Sequence, residues 1–240
     1  MGAGAAELVS YRMRDGIATI TMDDGKVNVL SPAMLRQVGA AFDRAEADQA
    51  VVVLGGRDGV FSAGFDLGVL RGGDRDEAIG MFRGGFELAT RILAFPRPVV
   101  VACTGHAIAM GAFLVLSGDY RIGAAGPFRL TANEVAIGLT LPYAAAEICR
   151  ARLAPAHLHR ALVLAEPYQP EAAVVAGFLD AVTEPAQLAD AAAEVAGRLR
   201  ALDPAAHGAT KLRVRENLLA ALRAAIDLDY PVAATSAAAG

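Results

Sequence analysis

Two segments of the chain read as the same device. "AVVVLGG", residues 50–56, is a short β-branched run closed by glycines, and "FSAGFDL", 61–67, follows it as a tight turn. "PVVVACTG", 98–105, is a second such run. "HAIAMG", 106–111, then turns the chain, and "AFLVLSGD", 112–119, continues as a helix. Short valine-rich runs bounded by Gly and Pro read as buried strands. Strand, turn and helix thus occur twice, which points to a repeated structural unit.

The flanking segments fit around this repeat. "LVSYRMRDGIATITMDDG", 8–25, reads as two strands joined at Asp15-Gly16, a hairpin signal. Ser31 suits a helix N-cap, and Pro32 the first helical position, where its missing N–H is no loss. Leu35, Val38 and Phe42 follow at helical spacing. A polar, Gly-rich stretch, 71–77, leads to a second helix over about 78–94 that Pro96 and Pro98 end. "YRIGAAG" and "FRLT" read as short strands, and the rest as nearly all helix. Leu188, Ala192, Val195 and Leu199 form one apolar stripe; Leu212, Leu219, Leu222 and Ile226 form another. No linker demands two independent domains. The expected division is a core over 1–180 and a helical region over 181–240.

Composition sets the class. The 240 residues are 55% hydrophobic, with a mean hydropathy of +0.39, so a sizeable core is easily buried. The net charge of -4, with no long run of one sign, argues against nucleic acid as the main partner. Cys103 and Cys149 sit in apolar surroundings and suggest no disulfide framework, which makes a reducing cytoplasm the expected compartment. The N-terminal "MGAGAA" has the glycine of an acylation signal without its hydroxyl residue. The apolar segment around 98–116 is broken by Thr104, Gly105, His106 and Gly111, so no membrane span is expected.

The familiar chemistries find no foothold. His157 and His159 are two apart and point different ways on a helix, and neither HExxH nor a Cys cluster accompanies them, so no metal is expected. No phosphate-binding glycine loop is present, and Ser62 in "FSAG" is a turn residue rather than a nucleophile. Two turns remain. "FSAGFD" follows one buried strand; "HAIAMG" follows the other and opens a helix. Their backbone N–H groups, aimed at one carbonyl oxygen, would form an oxyanion hole. On composition and spacing alone, a pair of ordinary tight turns is the commoner reading.

"FSAGFDL", "GHAIAMGAFLVLSGDYRIG" and "FRLTANEVAIGLTLP", in this order and spacing, resemble the crotonase superfamily, the enoyl-CoA hydratase/isomerase family, over residues 8–230. "LVLSGDYRIG" and "NEVAIGLTLP" look especially like the mitochondrial-type Δ3,Δ2-enoyl-CoA isomerases. The resemblance implies an α/β fold, the crotonase (ClpP-like) spiral of repeated ββα units, with a C-terminal helical trimerisation region. It also implies an acyl-CoA substrate, no separate cofactor, and a homotrimer or dimer of trimers.

The family pattern transfers residue by residue. The oxyanion N–H groups fall at Phe65, after Ala63 and Gly64, and at Met110, where most members have glycine and where a side chain would occupy space near the thioester. Ala63 falls where the backbone touches adenine. One hydratase glutamate aligns with Phe113, the second with Glu134. Gly64, Asp66, Gly111, Phe113 and Tyr143 join Ala63 as candidate substrate contacts. Phe65, Met110, Phe113 and Tyr143 are the bulky candidates for a restricted acyl pocket. Lys211 falls where members often place a basic residue near CoA, although a solvated helix cation is an equal reading, and Arg213 and Arg215 share that status. Asp66 and Asp119 read in themselves as structural acids.

Glu134 is an acid amid apolar residues in "ANEVAIGL". Taken alone it reads most often as an exposed acid on a loop or edge; buried, its pKa would rise toward the range of a working base, and the resemblance favours it as the acid/base. Phe113 can neither give nor take a proton, so a lone Glu134 would hold an attacking water poorly. Moving a double bond needs only one carboxylate, and an apolar wall keeps water from quenching the dienolate. The expectation is an isomerase. An atypical 2-enoyl-CoA hydratase and a non-catalytic acyl-CoA binder are the alternatives.

Overall fold

The computed structural model describes residues 6–231. The N-terminal glycine weighed for acylation lies outside them. Strands β1 (Val9–Arg14) and β2 (Ile17–Met22) form the expected antiparallel hairpin. Asp15 and Gly16 both take positive φ, 49° and 74°, as a two-residue turn that matches strand twist requires. After β3 (Val29–Leu30), the Ser31 hydroxyl accepts the Met34 N–H at 3.2 Å and starts α1 (Pro32–Ala47). Leu35, Val38 and Phe42 are buried on its inner face.

The repeat then becomes visible. Strand β4 (Val51–Gly55) leads to β5 (Gly59–Ser62), β6 (Gly64–Phe65), α2 (Leu67–Arg71) and α3 (Arg75–Ala94). Strand β7 (Val99–Cys103) leads to β8 (Gly105–Ile108) and α4 (Met110–Ser117). Strand β9 (Tyr120–Ala124) leads to β10 (Leu130–Thr131) and α5 (Tyr143–Arg152). The units that begin at β7 and β9 run strand, strand, helix, and the one that begins at β4 adds the short β6 and α2 before its long helix. The first strands lie side by side in a six-stranded sheet, order β1-β2-β4-β7-β9, completed at its edge by β11 (Ala181–Thr183). The second strands form smaller parallel sheets, β10-β8-β5 and β3-β6. The chain therefore winds as the expected α/β spiral of ββα units.

Three local expectations need correction. The two expected turns are largely extended, because β5 and β8 pair with each other and β6 pairs with β3. Helix α3 begins three residues early, because Asp74 accepts the N–H groups of Asp76 and Glu77 and caps it. Strand β11, parallel to β9, was hidden in a stretch expected to be helical. It is three residues long and has no apolar run of its own. The expected 180/181 boundary falls at its first residue.

The valine runs are explained by burial on both faces. Val52, Leu54, Val99 and Val101 point into the main core with residues of α1 and α3. Val51, Val53, Val100 and Ala102 point the other way, against Leu188, Ala192 and Val195 of α8 (Leu188–Arg200). Helices α6 (Pro155–Leu162) and α7 (Pro170–Ala176) lead into β11, and α9 (Pro204–Asp229) closes the chain against α3 and α5. Leu219, Leu222 and Ile226 are buried along α9, whereas Leu212 is 48% exposed. The buried position in that turn belongs to Lys211.

Candidate active site

The two turns singled out in the sequence meet. Asn28, fully buried, donates its amide to the carbonyls of Met22 (2.9 Å) and Phe61 (3.2 Å) and receives the Ser62 hydroxyl on its own carbonyl at 2.7 Å. That hydroxyl oxygen accepts the Gly64 N–H at 3.1 Å. The first turn is thus locked from beneath. Asn28, which holds it, was missed by sequence reasoning; the only signal was an amide two residues after Lys26 in a loop. Gly64 has φ +87°, and a Cβ there would stand 2.9 Å from the Ile108 carbonyl oxygen and 3.5 Å from the Met110 nitrogen. No side chain fits between the two turns.

The second turn is strained in the sense that Ala109 takes φ +49°, a region L-residues rarely adopt. Its N–H is held by the Thr131 carbonyl at 2.8 Å. The Met110 N–H then stands in the first turn of α4, where a helix offers its donors no internal acceptor. Gly111 serves packing rather than contact. A Cβ there would come within 2.5 Å of the Ser62 carbonyl oxygen, and the residue does not line the cavity. The Met110 side chain does not crowd the site as expected. It is fully buried and lies against Gly85 of α3, which the Phe65 ring also meets.

In front of these turns lies a cavity of about 330 Å³, within the range of small-molecule sites. Ala63, Phe65, Ile108 and Ala109 form its turn side, Asn133 and Glu134 its polar side, and Phe82, Phe86, Phe113 and Tyr230 an aromatic wall. A larger groove of about 460 Å³ lies between α8 and the sheet, but Asp58 is its one acidic or basic residue.

Glu134 enters the cavity just before a single 3₁₀ turn, Val135–Ile137, whose end Gly138 caps in the left-handed region. Its Oε2 is sealed from solvent and meets no donor among the described residues. Burial pushes the carboxyl up to about 7, because the ionised form loses its water, and a backbone hydrogen bond to the carboxyl offsets this only in part. The buried Oδ1 of Asn133 and Oγ1 of Thr131 likewise have no partner among the described residues. Phe113 is 1% exposed and stacks on Phe86. The arrangement offers one proton-accepting group, two adjacent backbone turns and an aromatic wall.

Other expected contacts fall elsewhere. Tyr143 is 60% exposed and absent from the cavity lining. The tyrosine in the wall is Tyr230, brought back from the end of α9. Sequence gave no sign of this beyond Pro231, which stops the helix. Asp66 caps α2 through the Gly68 N–H at 2.8 Å. Lys211 is buried in a separate polar cluster, its Nζ 2.7 Å from Asp119, whose other oxygen meets Arg215 at 2.9 Å. Burial pulls the Lys211 ammonium down to about 8 against the opposing pull of Asp119. Asp119 also accepts the Val99 N–H at 2.8 Å, as a structural acid should. Arg213 is exposed. Among the described residues no three His, Cys, Asp or Glu side chains cluster as a metal site, and no helix is long and apolar enough to cross a membrane.

Comparison with known proteins shows the family and the fold. The family model described as enoyl-CoA hydratase/isomerase matches residues 12–237. A probable enoyl-CoA hydratase, echA17 of Mycobacterium avium, is 33% identical over 199 residues, 80% of this chain and 75% of the relative. The crystal structure of a probable enoyl-CoA hydratase, ECHA3 of Mycobacterium tuberculosis, superposes with a TM-score of 0.90 at 50% identity, covering 92% of this chain and 94% of that one. Human mitochondrial Δ3-Δ2-enoyl-CoA isomerase superposes at 0.89 with 26% identity, covering 93% and 89%. The chain belongs to the enoyl-CoA hydratase/isomerase family of the crotonase superfamily.

Proposed function

We propose that this family member is a Δ3,Δ2-enoyl-CoA isomerase in which Glu134 is the single acid/base. The observation that carries the reading is one buried carboxylate whose pKa is raised to about 7, in a cavity whose other wall is aromatic and includes Phe113. The thioester oxygen accepts the N–H groups of Phe65 and Met110. Charge develops there as a proton leaves C2, and each such donor is worth about 10²–10³ in rate. Ionised Glu134 takes the C2 proton and returns it at C4. The double bond moves from C3–C4 to C2–C3, and Glu134 ends as it began. Phe113, Phe86 and Phe82 keep water away from the dienolate. Coenzyme A is part of the substrate, and no other cofactor enters the scheme.

The competing reading, hydration of a 2-enoyl-CoA, draws on the hydratase names of the mycobacterial relatives. It asks Glu134 to hold, deprotonate and orient a water alone, opposite a ring that can do none of these. The half-exposed Leu212 and more exposed Val214 and Leu228 of α9 support assembly as a homotrimer or dimer of trimers through the C-terminal helices. The unpaired thiols of Cys103 and Cys149 support a reducing, cytoplasmic location. Incubation with 3-enoyl- and 2-enoyl-CoA of several chain lengths tests the assignment. Efficient hydration without a double-bond shift would sink it.

A further inference from the structure

Tyr230 stands out in the aromatic wall because of its oxygen. Phe113, Phe86, Tyr230 and Phe82 form a stair of nearly parallel rings, with centroids 6.1, 5.9 and 5.5 Å apart along it. A phenylalanine would fill the step at Tyr230 equally well. The Tyr230 hydroxyl is neither sealed nor hydrogen-bonded among the described residues, in a cavity it shares with Glu134. Burial in that wall, with the acids Asp229 and Glu134 nearby, holds the phenol well above its ordinary range. It therefore stays a neutral donor at any working pH.

Three ties anchor the backbone that carries it. Its own carbonyl accepts Arg83 Nη1 at 3.0 Å. Arg83 also meets Asp227 at 2.8 Å. Asp229 accepts the Tyr143 and Ala144 N–H groups at 3.1 and 2.9 Å, capping α5 with the last turn of α9. A hydroxyl on so anchored a backbone, without a partner among the described residues, is available to a ligand. A ligand that covers it with hydrocarbon strips its water and returns nothing.

Resting on the isomerase reading of the same cavity, we infer that Tyr230 is a specificity-determining residue whose hydroxyl donates to an oxygen on the acyl chain beyond C4. The preferred substrates are then acyl-CoA thioesters bearing an ether, hydroxyl or keto oxygen there, over plain alkyl chains of equal length. Donation leaves the phenol proton in place, and no bond in the substrate changes at this point.

The test uses saturated thioesters that cannot turn over: an eight-carbon acyl-CoA and its analogues with an ether oxygen replacing carbon 5, 6 or 7. Each is titrated calorimetrically into the full chain. The wild type is expected to bind at least one ether analogue about tenfold more tightly than the hydrocarbon parent, the net worth of about one hydrogen bond. In Tyr230→Phe that preference falls to within about twofold, and the parent binds as well as before or better. Equal binding of all four ligands to the wild type overturns the inference. So does a preference that persists in Tyr230→Phe, or an equal loss for all ligands. A protein that shows the preference yet shifts no double bond would refute the isomerase assignment alone. One that shifts the double bond without the preference would refute the role of Tyr230 alone.

Discussion

The rings of Phe86 and Phe113 lie 6.1 Å apart with their planes 24° from parallel, joining α3 to α4 across the back of the cavity. On the resemblance to the family, a hydratase would carry a glutamate at residue 113, where this chain has a ring stacked on Phe86. Both rings are essentially buried. The aromatic pair contributes about 0.5–1.5 kcal/mol beyond its buried area. It also makes position 113 a poor place for a charge.

Phe113→Glu is therefore expected to reduce stability by about 3 kcal/mol or more, since it opens a void and buries a carboxyl without a donor. Isomerisation should fall and hydration of a 2-enoyl-CoA should rise. Phe113→Leu keeps the wall apolar and should retain most of the isomerisation. Chemical denaturation and product analysis of both variants check this. A Phe113→Glu protein with unchanged stability and products would show that the ring has no such role.

Glu134 ties activity to stability through pH. Its folded pKa is raised to about 7 from an ordinary 4.5. Between those values the folded protein holds more protons than the unfolded chain. Stability from this group is therefore greatest below about pH 4.5, falls as pH rises to about 7, and is level above that. The loss amounts to about 3 kcal/mol. Glu134→Gln should be more stable than the wild type at pH 8 and not at pH 4, by denaturant unfolding at each pH. In the wild type, kcat/KM should rise through about pH 7 as the carboxyl ionises.

Lys211 separates a structural role from a ligand-binding one. Its ammonium is 2.7 Å from Asp119, and the residue as a whole is 7% exposed. Lys211→Met leaves Asp119 with Arg215 as its one charged partner among the described residues and should destabilise the fold by about 3 kcal/mol. KM for an acyl-CoA should stay within about twofold. A raised KM with unchanged stability would instead place Lys211 on coenzyme A.

How much of this was legible in the sequence depends on distance along the chain. The hairpin at Asp15-Gly16, the Ser31 cap and the doubly buried valine strands follow from local rules, and they appear where those rules put them. "FSAG" and "HAIAMG" stand out as a pair but read locally as turns, because their extended form comes from pairing with each other and with β3. Three-residue β11 draws its existence from the edge of β9. An acid inside an apolar run draws attention to Glu134, but by itself it reads as readily as an exposed loop acid, and only the resemblance favours it as the acid/base; its burial depends on tertiary packing. Tyr230 was not legible. Its place in the cavity depends on how the last turn of α9 caps α5 and meets Arg83, nearly 150 positions away. Tyr143 is a bulky candidate for the pocket wall in the sequence, yet its side chain leaves the helix on the solvent side.

The central claim is that one carboxylate moves one proton from C2 to C4 behind a dry wall. The most direct measurement is a single-turnover reaction with a 3-enoyl-CoA deuterated at C2, analysed by mass spectrometry and NMR for label at C4. The account predicts a 2-enoyl-CoA carrying deuterium at C4 above the solvent background, and a rate about 10²–10⁴ lower in Glu134→Gln. A 3-hydroxyacyl-CoA as the main product, with no label at C4 and with the rate unchanged in Glu134→Gln, would contradict it.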